Sequence, residues 1–364
     1  MTRLPLHQFH EGLDARFGVV NDSEVVNDYG APLAEHAALN GVAGIIDLSF
    51  RSRLCVTGAD RARFLHGQVT NSVQDLQPGQ GCYAALVTAK GRMESDLNVH
   101  CLPEELLLDF EPGLGGRISD RLERFSVADD VQIVDVMPHY GFLCVVGPKA
   151  DRVMAAMGLD IPAEPMGSVT IHDAEAGEIL VVNRPWGKIA GLDLFVPTLA
   201  LESVAGRAIV AAKALSGCAC GWEALEAIRI EAGLPRFGID MDETNLAPET
   251  GIEARAIRYD KGCYIGQEVI NKLHTFAHVT KSLKGMRLEN QLPALPARGQ
   301  KLYCDGKEAG YVTSAIASPA FARNIALGYV RREFDTPGTR LAFQSAGGES
   351  EATIVPLPFD KASL

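Results

Sequence analysis

Beyond Lys284 the chain changes character. Short alternating segments are separated by Asp305-Gly306, Thr336-Pro337-Gly338 and Gly347-Gly348. Asp-Gly between apolar runs supplies the two left-handed φ values that a two-residue hairpin turn demands, so its flanks are driven into antiparallel strands. About 80 residues of this pattern suffice for a small β-barrel. The boundary is expected near 280–290, which gives one domain over 1–282 and a barrel domain over 283–364.

Ahead of the barrel, strands and helices alternate. Residues 1–44 read as a mixed, partly helical lead-in. Residues 53–58 are apolar and β-branched, and 59–65 follow as a short helix. Residues 81–87, a Lys90-Gly91 turn and 93–101 read as a hairpin. Helices are expected over 115–125, 149–157 and about 198–216, with strands near 131–137, 141–146, 168–172 and 178–182. One echo is visible: Leu54-Cys55-Val56-Thr57-Gly58 with Asp60-Arg61 resembles Leu143-Cys144-Val145-Val146-Gly147 with Asp151-Arg152. Both read as strand, glycine turn, helix. Two related α+β units are therefore expected.

Composition narrows the function classes. The 364 residues correspond to about two domains, and 47% hydrophobic with 22% charged is an ordinary globular mix. A formal net charge of −12 counts against general nucleic-acid binding, which rests on excess cationic charge. No run of 18 apolar residues occurs, so no membrane helix is expected. The first ten residues lack the apolar stretch of a secretory signal. Eight cysteines lie scattered at 55, 82, 101, 144, 218, 220, 263 and 304, which is no disulfide scaffold. A cytoplasmic location with reduced thiols is expected.

The densest chemistry lies between Trp222 and Lys281. Residues 222–233 read as a helix with Leu225, Ile228 and Ala232 on one face, stopped by Gly233 and Pro235. Glu231 falls in its last turn, where a carboxylate opposes the helix dipole. A carboxylate there is a natural partner for two adjacent N–H donors of a pterin or guanine edge. The alternative is a salt bridge to Arg236 or a more distant arginine. Residues 238–250 are acidic but lack the spacing of a calcium loop, and read as a structured loop with Asx turns. In Lys261-Gly262-Cys263-Tyr264-Ile265-Gly266-Gln267-Glu268, a thiol beside Lys261 and just before a helix start can have a lowered pKa, as a nucleophile or ligand does. The alternative is a thiol packed under a tight turn. His274 and His278 are spaced to share a helix face, without partners to complete a metal set. Cys218 and Cys220 could seat two ligands of a cluster, where a closed iron–sulfur site wants four.

The string from Lys261 to Glu268 resembles the signature of the YgfZ family of folate-binding proteins. That family includes a mitochondrial iron–sulfur assembly factor and shares a superfamily with the glycine-cleavage T-proteins, which are aminomethyltransferases. The resemblance extends over most of the chain. Val56-Thr57-Gly58-Ala59-Asp60-Arg61 and the residues to Asn71 resemble the shared N-terminal block. Thr88-Ala89-Lys90-Gly91-Arg92 with Asp96-Leu97 resembles the hairpin before the folate site. Ile228-Arg229-Ile230-Glu231-Ala232-Gly233 with Gly238 and Asp240 resembles the central block, and Gly310-Tyr311-Val312-Thr313-Ser314 with Ala326-Leu327-Gly328-Tyr329-Val330 resembles the C-terminal barrel.

The resemblance implies an α+β aminomethyltransferase-type folate-binding fold, with subdomains around a central channel, and a small C-terminal β-barrel. It implies tetrahydrofolate as cofactor, gripped at the pterin by Glu231. Asp96 matches the aspartate near the reactive folate nitrogens. Arg258 or Lys261 stands where a basic residue holds the folate tail, in a local set with Arg255 and Lys272. Trp222 lies about one helical turn from the place of a stacking aromatic, while the early strand carries Phe50-Arg51. Cys263 marks the YgfZ branch, whose members support iron–sulfur cluster assembly or repair with an essential thiol. Iron–sulfur client or assembly proteins are then the expected partners. The alternative is a true aminomethyltransferase that takes its group from a lipoyl carrier protein, with Asp96 stabilising charge at the reacting nitrogen.

Overall fold

Strand residues Leu54 to Thr57 run into Gly58, at φ +97°, and turn at once into a helix. A Cβ on Gly58 would sit 2.1 Å from the Asp130 carbonyl oxygen, so both the turn and the close backbone passage require glycine. Leu143 to Val146 end in the same way at Gly147. The computed structural model describes residues 1–364 except 277 and 363. The chain divides into two units. One comprises Met1–Ala84, Asp96–Glu226 and Asp260–Tyr264; the other comprises Ala85–Ser95, Ala227–Tyr259 and Ile265–Leu364.

The first unit opens with α1 (His7–Glu11), a hairpin of β1 (Arg16–Val20) and β2 (Ser23–Asp28), and α2 (Pro32–Gly41). The lead-in is thus partly sheet. Asn21 and Asp22, at φ +44° and +60°, fill both left-handed positions of its tight turn. After β3 (Gly44–Asp47) the chain runs twice through one course. The first pass is β4 (Ser52–Thr57), α3 (Arg61–Gln68), β5 (Gly81–Val87), β6 (Met93–Cys101), β7 (Leu106–Phe110), α4 (Gly115–Phe125) and β8 (Gln132–Asp135). The second is β9 (Tyr140–Val146), α5 (Ala150–Met157), β10 (Ser168–Asp173), β11 (Gly177–Asn183), β12 (Gly191–Pro197), α6 (Leu201–Ala214) and β13 (Cys218–Ala219).

The sheet orders are β5-β6-β7-β4-β8 and β10-β11-β12-β9-β3-β13. In each, a three-strand meander returns its last strand antiparallel to the strand that began the pass. Val145, Val181 and Leu194 of the second sheet share one core with Val204 and Ala208 of α6. The sequence pattern does not mark β7 or β12. Each carries a fully buried aspartate in an otherwise apolar run, Asp109 or Asp193. Arg51 neutralises the first and Arg184 the second.

The second unit holds α8 (Glu253–Ala256), α9 (Gln267–Thr275) and a closed barrel. The chain enters it within α7 (Trp222–Glu231). The barrel order is β14-β17-β16-β15-β18-β19, from β14 (Lys281–Leu288), β15 (Lys301–Cys304), β16 (Lys307–Ser318), β17 (Arg323–Arg331), β18 (Arg340–Ser345) and β19 (Gly348–Val355). Asp305 and Gly306, at φ +49° and +77°, make the β15–β16 turn. Met286, Leu302, Val312, Val330 and Phe343 fill the core. An α+β body with a C-terminal β-barrel is therefore the observed architecture.

One expectation is corrected here. Helix α9 ends at Thr275, so His278 does not share a helix face with His274. His274 instead stacks on Tyr259 at 3.8 Å and places Nδ1 3.3 Å from Glu253. Among the described residues no group of three or more His, Cys, Asp or Glu is placed to hold a metal. No helix among them is long and apolar enough to cross a membrane.

Candidate functional site

The Lys-Gly-Cys-Tyr string is a clip that displays one thiol. The Lys261 ammonium donates to the carbonyl oxygens of His66 at 2.6 Å, Val69 at 2.7 Å and Asn71 at 2.8 Å. A helix leaves its last carbonyls without internal partners, and here a lysine from far along the chain supplies donors at and beyond the end of α3. The Tyr264 ring is buried and lies 4.8 Å from the same ammonium. Burial pushes Lys261 down to about 8 and the Tyr264 hydroxyl up to about 12. Lysine therefore stays mainly protonated at neutral pH and keeps its donors. Between these anchors Cys263 is exposed, the one exposed cysteine of the eight. In the second unit Gly266, at φ +88°, begins α9; a Cβ there would sit 2.5 Å from the Thr88 carbonyl oxygen.

This geometry revises two readings of Lys261. Its three N–H bonds point at backbone carbonyls, so they are not offered to a folate-tail carboxylate, nor aimed at the Cys263 thiol. Replacing Lys261 by Met is expected to lower unfolding free energy by about 2–3 kcal/mol, the usual worth of hydrogen bonds to a charged donor. Urea denaturation checks this; an unchanged midpoint would mean the carbonyls find water instead.

Asp96 occupies the second focus of the first unit. The Tyr83 hydroxyl donates to its Oδ2 at 2.7 Å. Around it Arg51 bonds Asp109 at 3.0 Å and Glu111 at 2.5 Å, while Asn98 donates to Asp109 at 3.1 Å. His100 Nε2 lies 3.3 Å from Asp109. Burial, then the Glu111 charge, pushes the Asp96 carboxyl up to about 6, against the pull of Tyr83 and Arg51. Burial also opposes ionisation of Asp109, but Arg51 and His100 outweigh it and hold that carboxyl well below the usual range. Two neighbouring carboxyls are thus driven apart, one fixed as an anion and one poised near neutrality. Such separation is the pattern of acid–base chemistry. Asn71 ties this focus to the clip: its carbonyl accepts from Lys261 and its amide donates to the Tyr83 carbonyl at 2.8 Å.

Trp222 is nearly buried and meets Phe50 edge to face, with ring centroids 5.2 Å apart. It packs in the interior of the first unit rather than offering a broad stacking face.

In the second unit the central block splits into two roles. Arg229 forms a buried ion pair with Asp240. Asp240 also accepts from Thr313 at 2.6 Å, from Ser314 at 2.7 Å and from the Arg236 backbone N–H at 3.2 Å. Glu231 ends α7, is 6% exposed, and accepts at Oε1 from Ser318 and from the Ala320 N–H at 3.1 Å. A barrel loop thus supplies partners to its carboxylate. Arg255 and Arg258 are exposed in the same unit. Sequence reasoning missed Tyr83, Asp109 and Glu111. The available signal was Asp109 and Glu111 two residues apart at the end of an apolar run, a spacing that puts both on one side of a strand.

The sequence is similar to the GCVT N-terminal domain over residues 6–261 and to the glycine cleavage T-protein C-terminal barrel domain over residues 281–361. An aminomethyltransferase of Halothermothrix orenii is 25% identical over 99% of this chain and 100% of its own length. A probable aminomethyltransferase of Halobacterium salinarum is 29% identical over 98% of each. The crystal structure of glycine cleavage system aminomethyltransferase T from Bartonella henselae has the same fold. It matches with a TM-score of 0.90 at 21% identity, over 99% of this chain and 98% of that one.

Proposed function

Because the chain belongs to the glycine cleavage T-protein family, we propose that it binds tetrahydrofolate and transfers an aminomethyl-type one-carbon group to it, with Asp96 at the reacting nitrogen. The observation that carries this reading is the Asp96 carboxyl, part-buried, fixed by Tyr83 and pushed up to about 6. When bound, tetrahydrofolate supplies the nitrogens that take up the one-carbon unit. Asp96 stabilises the positive charge that develops there and accepts a proton at its carboxylate. The Tyr83 hydroxyl fixes the direction of Oδ2. Arg51 keeps Asp109 and Glu111 in place around it. A lipoyl carrier protein is the partner that delivers the group.

A second reading rests on Cys263. Its thiol is exposed on a backbone clip that Lys261 and Tyr264 hold still. That arrangement favours a YgfZ-like role, in which folate is bound and the thiol serves iron–sulfur assembly or repair.

One paired experiment separates the readings. Purified protein with tetrahydrofolate is assayed for transfer from an aminomethyl-loaded lipoyl carrier, beside a fluorescence titration of folate binding. Turnover is the expected result. Binding without turnover, together with failure of Cys263→Ser to complement a cluster-maturation defect, would move the function to the second reading. Absence of folate binding would overturn both.

A further inference from the structure

Outside the site described above, the first unit holds two thiols in contact. Cys218, on β13, the edge strand of the second sheet, and Cys220, just past its end, place their sulfurs 3.6 Å apart. The pair is asymmetric. Cys218 is half-buried, while Cys220 is 1% exposed. The Cys220 sulfur lies 3.6 Å from the Glu35 carbonyl oxygen, and a Cβ on Gly44 of the adjacent strand would sit 2.4 Å from it. The backbone on its far side is tethered too: the Cys220 N–H donates to Ile45 at 2.8 Å and the Gly221 N–H to the Glu35 carboxylate at 2.8 Å. The buried thiol is thereby confined beside the accessible one.

We propose that Cys218 and Cys220 form a redox-active dithiol that hydroperoxides close to an intramolecular disulfide, with Cys218 as the attacking thiol and Cys220 as the resolving one. The Cys218 sulfur attacks the terminal peroxide oxygen and the O–O bond breaks. The remaining oxygen leaves as water or an alcohol with the Cys218 proton, and Cys218 becomes a sulfenic acid. The Cys220 sulfur then attacks the Cys218 sulfur. The S–O bond breaks, the oxygen leaves as water with the Cys220 proton, and the S–S bond forms. Two thiols lose two electrons in all, and the peroxide gains them.

The local chemistry favours this division of labour. The contact with the Cys220 sulfur holds the Cys218 thiol below its ordinary value, and Lys213 adds to the effect, against burial and the Glu35 charge. The same pairing and burial push Cys220 up. Thiolate character therefore concentrates on the sulfur that solvent reaches. Bond formation requires the sulfurs to close from 3.6 Å to about 2 Å. With one residue between the cysteines the ring is small, and strained disulfides are the more easily reduced ones. The bridge is accordingly reversible.

The test uses the full chain carrying Cys263→Ser, which removes the exposed thiol. Reduced protein is titrated with hydrogen peroxide, denatured, alkylated and mapped by peptide mass. The expected result is a loss of two free thiols and of about 2 Da from the peptide containing Cys218 and Cys220, reversed by dithiothreitol. With Cys220→Ser or Cys220→Ala added, a dimedone adduct should persist at Cys218. Conversion of Cys218 to sulfinic acid with Cys220 still free, or no reaction at either, would overturn the proposal.

Discussion

Asp96→Asn is expected to lower aminomethyl transfer by about 10²–10⁴-fold, the usual contribution of a positioned acid–base group. The same change should make the protein more stable. The folded Asp96 carboxyl is pushed up to about 6, against an ordinary value near 4. A carboxyl that resists ionisation in the folded state withdraws stability as pH rises from about 4 through 6. A neutral Asn returns it above that window, by about 1–2 kcal/mol at pH 7 once its partial exposure is allowed for. The Tyr83 hydroxyl keeps an acceptor in the amide oxygen, so the hairpin loses no contact there. For the wild type, kcat/KM should fall as pH drops through about 6, because the carboxylate is the working form. The variant should show a flat profile at its residual level. Full activity in the variant would remove Asp96 from the chemistry. Lower thermal stability would make the carboxylate a structural anion.

The second large effect is structural and lies in the other unit. Asp240→Ala should cost about 3–5 kcal/mol, because it takes a buried carboxylate from the buried Arg229 guanidinium. Ser314 loses its carboxylate acceptor in the same step, while Thr313 keeps the Leu327 carbonyl. The cost should show in urea unfolding and in loss of near-ultraviolet dichroism. Replacing both partners, Arg229→Met with Asp240→Leu, should recover much of it, since the penalty belongs to the charge left buried rather than to the missing bond. A loss below about 1 kcal/mol for Asp240→Ala would mean that water reaches the arginine.

The local signals read well where chemistry is short-range. Asp305-Gly306 marked a turn, and its two residues take the left-handed φ values the turn needs. Gly233 and Pro235 were enough to end α7. Reading failed where a charge is buried by a distant partner. Asp109 interrupts the apolar run of β7, and its neutralising Arg51 lies 58 positions earlier. Lys261 looked like a cation available to a ligand because nothing nearby in sequence accounts for it; its acceptors lie 190 or more positions away. Trp222 looked like a stacking surface for the same reason, and its neighbour proves to be Phe50. The focus at Asp96 was legible only in its centre. The groups that set its acidity come from strands that the pattern did not show.

The Lys261 clip also has a bearing on the order in which the protein is made. The carbonyl of His66 waits for a donor 195 residues downstream. At ribosomal speeds of about 5–20 residues per second, roughly 10–40 s separate the synthesis of the two. During that interval the nascent chain carries α3 with its end uncapped, and the pairing that completes it is among the most non-local in the molecule. Chains released before residue 261 would lack the capping lysine, the tyrosine packed beside it and the thiol displayed between them. A chain that stops short of Lys261 therefore keeps the end of α3 without its lysine donor.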